Sequence, residues 1–287
     1  VSLDRQFSPV PQSHENTESD EIYSAWGHES SKSWDDLGRE FRCVIISEAG
    51  AGKTEELKFR ASHLESQGKP SFFIRIEDIE ADFYEAFEVG EEDSFQSWLQ
   101  STDEAWFFLD SVDEARLESP SALRKALRRF AKGIKGGEHR AHIYLSSRPY
   151  AWRPKEDRRL LDETLFLAAP HDDNEGNAEQ PSEVRNALKI YTMRPLDIER
   201  IRLFCEAFEA TNIDRLLQEI ERANLWSLAE RPFDLEGILA KWGDDNALGG
   251  RLELLRHNIY ARLRDNHSAE RALRQPLNLE HAKEGAR

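Results

Sequence analysis

Ser47-Glu48-Ala49-Gly50-Ala51-Gly52-Lys53-Thr54 is the stretch on which the fold turns. Before it runs Phe41-Arg42-Cys43-Val44-Ile45-Ile46-Ser47, a short apolar segment with the texture of a buried strand. After it, residues 53–66 carry Leu57, Ala61 and Leu64 at helical spacing. A strand, a glycine-rich turn and a helix form the context in which backbone N–H groups wrap a phosphate. Gly50 and Gly52 allow the turns that point successive N–H groups at phosphate oxygens. The helix start contributes the positive end of its dipole. Lys53 brings a compact charge to the β- and γ-phosphates, and the Thr54 hydroxyl is a ligand for Mg²⁺. Ser47 stands where the usual pattern has its first glycine. Glu48, Ala49 and Ala51 complete the expected nucleotide-binding loop.

Working outward, Ser71–Ile76, Ala105–Leu109 and Ala141–Ser146 are further strand candidates, and Leu165–Ala168 and Lys189–Thr192 could add two more. A helix is expected after Ser119 as cap and Pro120 at the first position, with Leu123, Leu127, Phe130 and Ile134 inward. Strands alternating with helices imply right-handed crossovers and a mostly parallel sheet covered on both faces. The expected fold is therefore α/β, a P-loop three-layer sandwich over residues 36–196. Residues 1–35 read as an extended lead-in anchored by Phe7, Tyr23 and Trp26, with a short helix over Ser33–Phe41 that carries Trp34, Leu37 and Phe41 on one side. Residues 171–183 hold five acids and no Lys or Arg, which predicts an exposed loop.

Past Pro195 the strand texture ends. Three apolar stripes follow the helical period: Ile201/Phe204/Cys205/Phe208, Ile213/Leu216/Leu217/Ile220 with Asn212 as cap, and Leu252/Leu255/Ile259/Leu263. Residues 197–287 are thus expected to form a helical subdomain.

The 287 residues include 39 Lys plus Arg against 55 Asp plus Glu, and 39 − 55 gives −16. A hydrophobic fraction of 39% is enough for a core. No apolar run approaches the ~18 residues of a membrane helix, so no membrane partner is expected. Two cysteines, Cys43 and Cys205, exclude a disulfide scaffold and a four-cysteine zinc site, and a cytoplasmic setting is the default. The chain begins at Val1 and its one methionine is Met193, which suggests processing or a piece of a longer protein. The acidic balance argues against a general grip on nucleic acid without excluding a local basic patch. Arg124, Lys125, Arg128, Arg129, Lys132 and Lys135 make one basic helix, read first as a solvated face. His139 and His142 have ligand-like spacing, but nothing nearby suggests a third ligand.

Two more segments carry chemistry. Trp106-Phe107-Phe108-Leu109-Asp110-Ser111-Val112-Asp113-Glu114 is an apolar strand ending in acids. Asp110 is placed to hold Mg²⁺, directly or through water. Glu114 is the candidate general base that polarises a water for attack on the γ-phosphate, and Asp113 could support either role. Tyr144-Leu145-Ser146-Ser147-Arg148-Pro149 also ends a strand, where ligands bind in open α/β sheets. Arg148 could reach the γ-phosphate and register its presence.

Together these residues resemble the NACHT branch of the STAND nucleoside triphosphatases, the signal-transduction ATPases with numerous domains. Asp110-Ser111-Val112-Asp113-Glu114 is similar to that family's acidic signature and Ser146-Ser147-Arg148-Pro149 to its first sensor motif. Phe72-Phe73-Ile74-Arg75-Ile76 resembles its second strand, and Met193-Arg194-Pro195-Leu196 the junction into its helical domain. Pro232 is similar to the proline that packs on the nucleotide base. The resemblance spans roughly residues 35–260. It implies an ATP/ADP switch in signalling or innate, antiviral defence. It also implies slow hydrolysis, homo-oligomers on activation, and sensor and effector domains outside this chain. A cycling AAA-type motor would share the loop and acids but need an arginine from a neighbour. A non-catalytic nucleotide-binding module would not need Lys53, Thr54, Asp110 and Glu114 intact. A small-molecule kinase would need an acceptor pocket and lid that the sequence does not display. No Asn-Lys-x-Asp guanine-reading motif occurs, which favours adenine.

Overall fold

A computed structural model describes residues 3–10, 31–80, 82–110, 112, 121–165 and 187–264. The chain divides into two compact units, Ser2–Arg194 and Pro195–Arg287 together with Val1.

Among the described residues the first unit is built on seven strands: β1 (Phe7–Pro9), β2 (Arg42–Ile46), β3 (Ser71–Arg75), β4 (Phe87–Val89), β5 (Ala105–Asp110), β6 (Ala141–Ser147) and β7 (Lys189–Met193). Their order across the sheet is β1-β7-β2-β6-β5-β3-β4. The five inner strands run parallel, and the two edges, β1 on β7 and β4 on β3, are antiparallel.

Alternation along each strand sorts the side chains into two cores. Val44, Ile46, Phe107, Leu109, Ile143 and Leu145 point to one face, where they meet α3 (Glu92–Gln100), α4 (Ala122–Gly133) and α5 (Pro154–Leu165). Cys43, Ile45, Phe108, Tyr144 and Tyr191 point to the other, where they meet α1 (Trp34–Leu37) and α2 (Lys53–Ser66). A parallel sheet buried on both sides needs near-continuous apolar strands, and β2 is buried at all five positions. The fold is an α/β three-layer sandwich.

The crossover through α2 carries the chain from β2 toward the β3 edge over one face. Those through α4 and α5 bring it back over the other and on to β7, as uniform handedness requires. The strand order therefore reverses at β2. Its carboxyl end, beside that of β6, is the crevice where open α/β sheets bind ligands.

Several elements differ from the sequence reading. Residues 7–9 are an edge strand rather than an extended lead-in: Phe7 is fully buried, its ring 4.8 Å from that of Trp34. The proline at the outer edge costs no ladder bond. The helix expected over Ser33–Phe41 stops at Leu37, held at its start by a reciprocal cap between Ser33 and Asp36. Phe41 instead stacks on His142 at 4.1 Å. Strand β4 and helix α3 had no clear sequence signal. Leu165, expected to open a strand, is the last residue of α5. Tyr23, Trp26, Ser119, Pro120, the rest of that expected strand (166–168) and the acidic stretch 171–183 lie outside the described residues.

The second unit contains α6 (Ile198–Ala207), α7 (Ile213–Arg222), α8 (Trp226–Ala229), α9 (Pro232–Asp245) and α10 (Arg251–Arg264). Leu216, Ile220, Leu225, Leu235, Ile238, Leu248 and Leu254 are fully buried. Two expectations fail here. Asn212 precedes α7 in a left-handed conformation and makes no side-chain cap. On α10 the apolar stripe is the outer face: Leu252, Leu255 and Ile259 are 63, 40 and 41% exposed, and Leu254 is the buried residue.

Candidate nucleotide-binding site

The loop between β2 and α2 is pinned to the sheet before it turns. Ile46 pairs with Ser147 on β6, and Ser47 N donates to Ser147 O at 3.1 Å. The chain then folds back, with Ala51 N donating to Glu48 O at 3.3 Å. Gly50 and Gly52 both have φ of 78°, a region in which a side chain would be strained, so the two glycines are where the turn demands them. Gly52 is the N-cap of α2 and no side chain caps the helix. The first-turn N–H groups are thus not spent on a cap, the usual condition for holding an anion. Lys53 opens the helix and is 9% exposed.

Asp110, the last residue of β5, is fully buried. A carboxylate out of water must be compensated. Thr54 Oγ1 donates to its Oδ2 at 2.6 Å, and the Ser146 hydroxyl donates to Oδ1. Asp110 is thereby tied both to the loop helix and to β6, the strand lying between β2 and β5. Beside it, Arg75 ends β3 in register with Asp110. The Glu88 carboxylate, with Glu77 and Asp110 contributing, raises the Arg75 guanidinium above its ordinary pKa. The role of Ser146 was missed in the sequence. Its one signal is a hydroxyl at the end of a strand that turns out to lie between the two motifs.

The donor set fits a divalent cation and a phosphate. Thr54 and Asp110 offer hard oxygens within hydrogen-bond distance of each other, the ligand type Mg²⁺ takes. Ser47 is 1% exposed and its hydroxyl has no hydrogen-bond partner. A buried hydroxyl left so costs about 1–3 kcal/mol, and a phosphate oxygen is the kind of acceptor it lacks.

Arg148 follows β6 directly, half-buried, with an extended backbone that starts the turn Pro149–Ala151. It thus leaves the sheet between the strand of the loop and the strand of Asp110. Asp113 and Glu114 lie outside the described residues; Val112, between Asp110 and that pair, is buried in the core. Pro232 is the buried first residue of α9 in the helical unit. His142 is buried, its Nδ1 3.0 Å from Glu40 O, and its ring lies between Phe41 and Trp106, at 4.1 and 4.9 Å. Among the described residues no helix is long and apolar enough to cross a membrane.

Sheet, crossover and loop define the class: an α/β three-layer sandwich of the P-loop kind, with its glycine-rich turn between β2 and α2. No family model matches the chain, and no curated protein does. Among solved structures the chain is similar to a Walker-type ATPase of Pyrococcus abyssi, at 11% identity and a TM-score of 0.42, over 92% of this chain and 75% of that one.

Proposed function

We propose that this chain binds ATP and ADP at Ser47–Thr54 and hydrolyses ATP slowly, as the switch of a signalling or innate-defence protein. The observation that carries the nucleotide site is the fully buried Asp110, which accepts from Thr54 on the loop helix and from Ser146 on the intervening strand. That tie to the first turn of α2, which Lys53 opens, supports reading Asp110 as the metal-binding carboxylate.

In this reading the backbone of residues 48–53 binds the phosphates, and Lys53 supplies the fixed positive charge. Thr54 and Asp110 hold Mg²⁺, which when bound neutralises charge on the β- and γ-phosphate oxygens. Glu114 takes a proton from the attacking water, with Asp113 in support. Arg148 contacts the terminal phosphate and distinguishes ATP from ADP. Pro232 packs on the base. The switch role, homo-oligomers on activation and sensor and effector parts beyond this chain are proposed from the motif resemblance in Asp110–Glu114 and Ser146–Pro149.

The test begins with the nucleotide that the purified protein carries, released by denaturation and identified by chromatography; adenine nucleotide is expected. Steady-state turnover with Mg²⁺ should be slow. Glu114→Gln should retain ATP affinity and lower turnover by roughly 10²–10⁴-fold, the usual scale of general-base loss. Fast multiple turnover in the wild type would favour a motor. Turnover unchanged in the variant would remove Glu114 from the base role.

A further inference from the structure

We infer that the outer face of α4 is a docking surface for the phosphate backbone of a nucleic acid. The chain as a whole carries −16, yet the twelve residues of α4 hold Arg124, Lys125, Arg128, Arg129 and Lys132 and no acid, and Lys135 follows just beyond. All six cations are exposed, while Leu123, Leu127 and Phe130 anchor the opposite face in the core. With these six removed, the remaining formal charge is −16 − 6 = −22, so the patch is positive against its own molecule. A solvated helix in so acidic a chain would be expected to spend its cations on neighbouring carboxylates. Arg124 does so, 3.4 Å from Glu163, which Arg159 also engages at 2.7 Å, and Lys125 and Arg129 have partners too, Arg129 lying near Asp82. Arg128, Lys132 and Lys135 have no ion-pair partner among the described residues.

Spacing and composition narrow the occupant. Arg124, Arg128 and Lys132 recur every four residues, and Lys125 and Arg129 form a second row, so charges step along the helix by about 6 Å. Protein interfaces are organised around buried aromatic or aliphatic anchors. None of the exposed large apolar side chains of the described residues lies on α4 or α5. A face of evenly stepped charge without an apolar anchor suits a uniform polyanion backbone better than a folded acidic protein. Recognition of that kind is electrostatic and independent of base sequence.

The test uses the full chain and fluorescent 30-nucleotide single-stranded and 30-base-pair duplex DNA, with anisotropy read across a salt series. Binding should weaken steeply with salt. The double variant Arg128→Glu with Lys132→Glu should lower affinity roughly tenfold or more at ~50 mM salt. It should also flatten the plot of log affinity against log salt by about 1.8 on duplex, two contacts at ~0.9 each. Arg251→Glu with Arg256→Glu changes net charge equally on exposed positions of the helical unit. That control should leave binding and slope unchanged. Equal losses in both double variants would overturn the surface, because net charge alone would then explain the effect. No binding of either DNA by the wild type at low salt would also overturn it. So would polyglutamate of matched charge displacing DNA on equal terms, since the face would then receive acidic polypeptide. Circular dichroism of both variants separates lost binding from lost folding.

Discussion

The two units handle polarity in opposite ways. Among the described residues, the sheet unit buries Asp110, Lys53, Glu56, Ser47, Ser146, Ser147, Arg42, His142 and other polar groups, whereas the helical unit buries only Lys241. Among the described residues the helical unit exposes Ile198, Leu203, Phe208, Phe233, Leu252, Leu255 and Ile259, whereas the sheet unit exposes one large apolar side chain, Tyr150. These departures are not equivalent. An exposed Leu gives up some burial energy and is ordinary on protein surfaces. A buried polar group must be partnered or it costs about 1–3 kcal/mol. The sheet unit therefore has to account for each such group. At the carboxyl ends of β2, β5 and β6 the account converges on one crevice.

The comparison can be broken by matched truncations. Leu57, fully buried on α2, and Leu255, 40% exposed on α10, are the same residue type in helices of equal length. Leu57→Ala should destabilise the protein by about 2–5 kcal/mol, and Leu255→Ala should stay within about 0.5 kcal/mol. Denaturant unfolding measures both. Similar losses would mean that the outer stripe of α10 is covered in solution, and the contrast between units would fall.

That pair also marks where the sequence was legible. Leu57, Ala61 and Leu64 sit between two strands of a parallel sheet, so period and topology both dictate the inward face. For α10, period alone identified a stripe without saying which side it faced. The parallel strands, the glycine-rich turn and the place of Asp110 at a strand end could be read because each combines local texture with a fixed position at a strand end. Edge strands β1 and β4 could not, because three residues hold no period. The Ser146–Asp110 contact is a product of strand order, and order is not local information. Glu114 and Asp113 rest on sequence alone.

The buried polar residues can be tested for purpose. If Lys53 is kept for a ligand and not for the fold, Lys53→Ala should cut ATP affinity by about 3 kcal/mol, roughly a hundredfold. Its unfolding free energy should change by less than about 1 kcal/mol. Calorimetry and denaturant unfolding read the two quantities separately. ATP affinity equal to wild type would remove the site.

Arg148 sharpens the same point. Replacing it with Ala should weaken ATP by about 1.5–3 kcal/mol, the scale of a hydrogen bond to a charged group, while ADP affinity stays close to wild type. Equal losses for the two nucleotides would assign Arg148 to structure or to the shared phosphates. Arg153 or Arg158 would then be the next candidate for the sensor.

The smallest expected effect concerns His142, a buried titratable group in the sheet unit with no part in the proposed chemistry. Burial between Phe41 and Trp106 lowers its pKa below the ordinary 6.5, against a smaller opposing pull from Glu40 and Glu104. The folded protein thus resists protonation that the unfolded chain accepts. The sign follows: the stability contributed by neutral His142 is fully present above pH 6.5 and is lost as pH falls from there through the lowered folded value. Wild type should lose more stability between pH 7 and pH 5 than His142→Phe, which keeps a ring between the two neighbours and cannot take a proton. The two pH profiles, measured by denaturant unfolding, should converge in slope above pH 7. Parallel profiles throughout would show that His142 titrates alike in both states, and that burial in this unit does not suppress its charge.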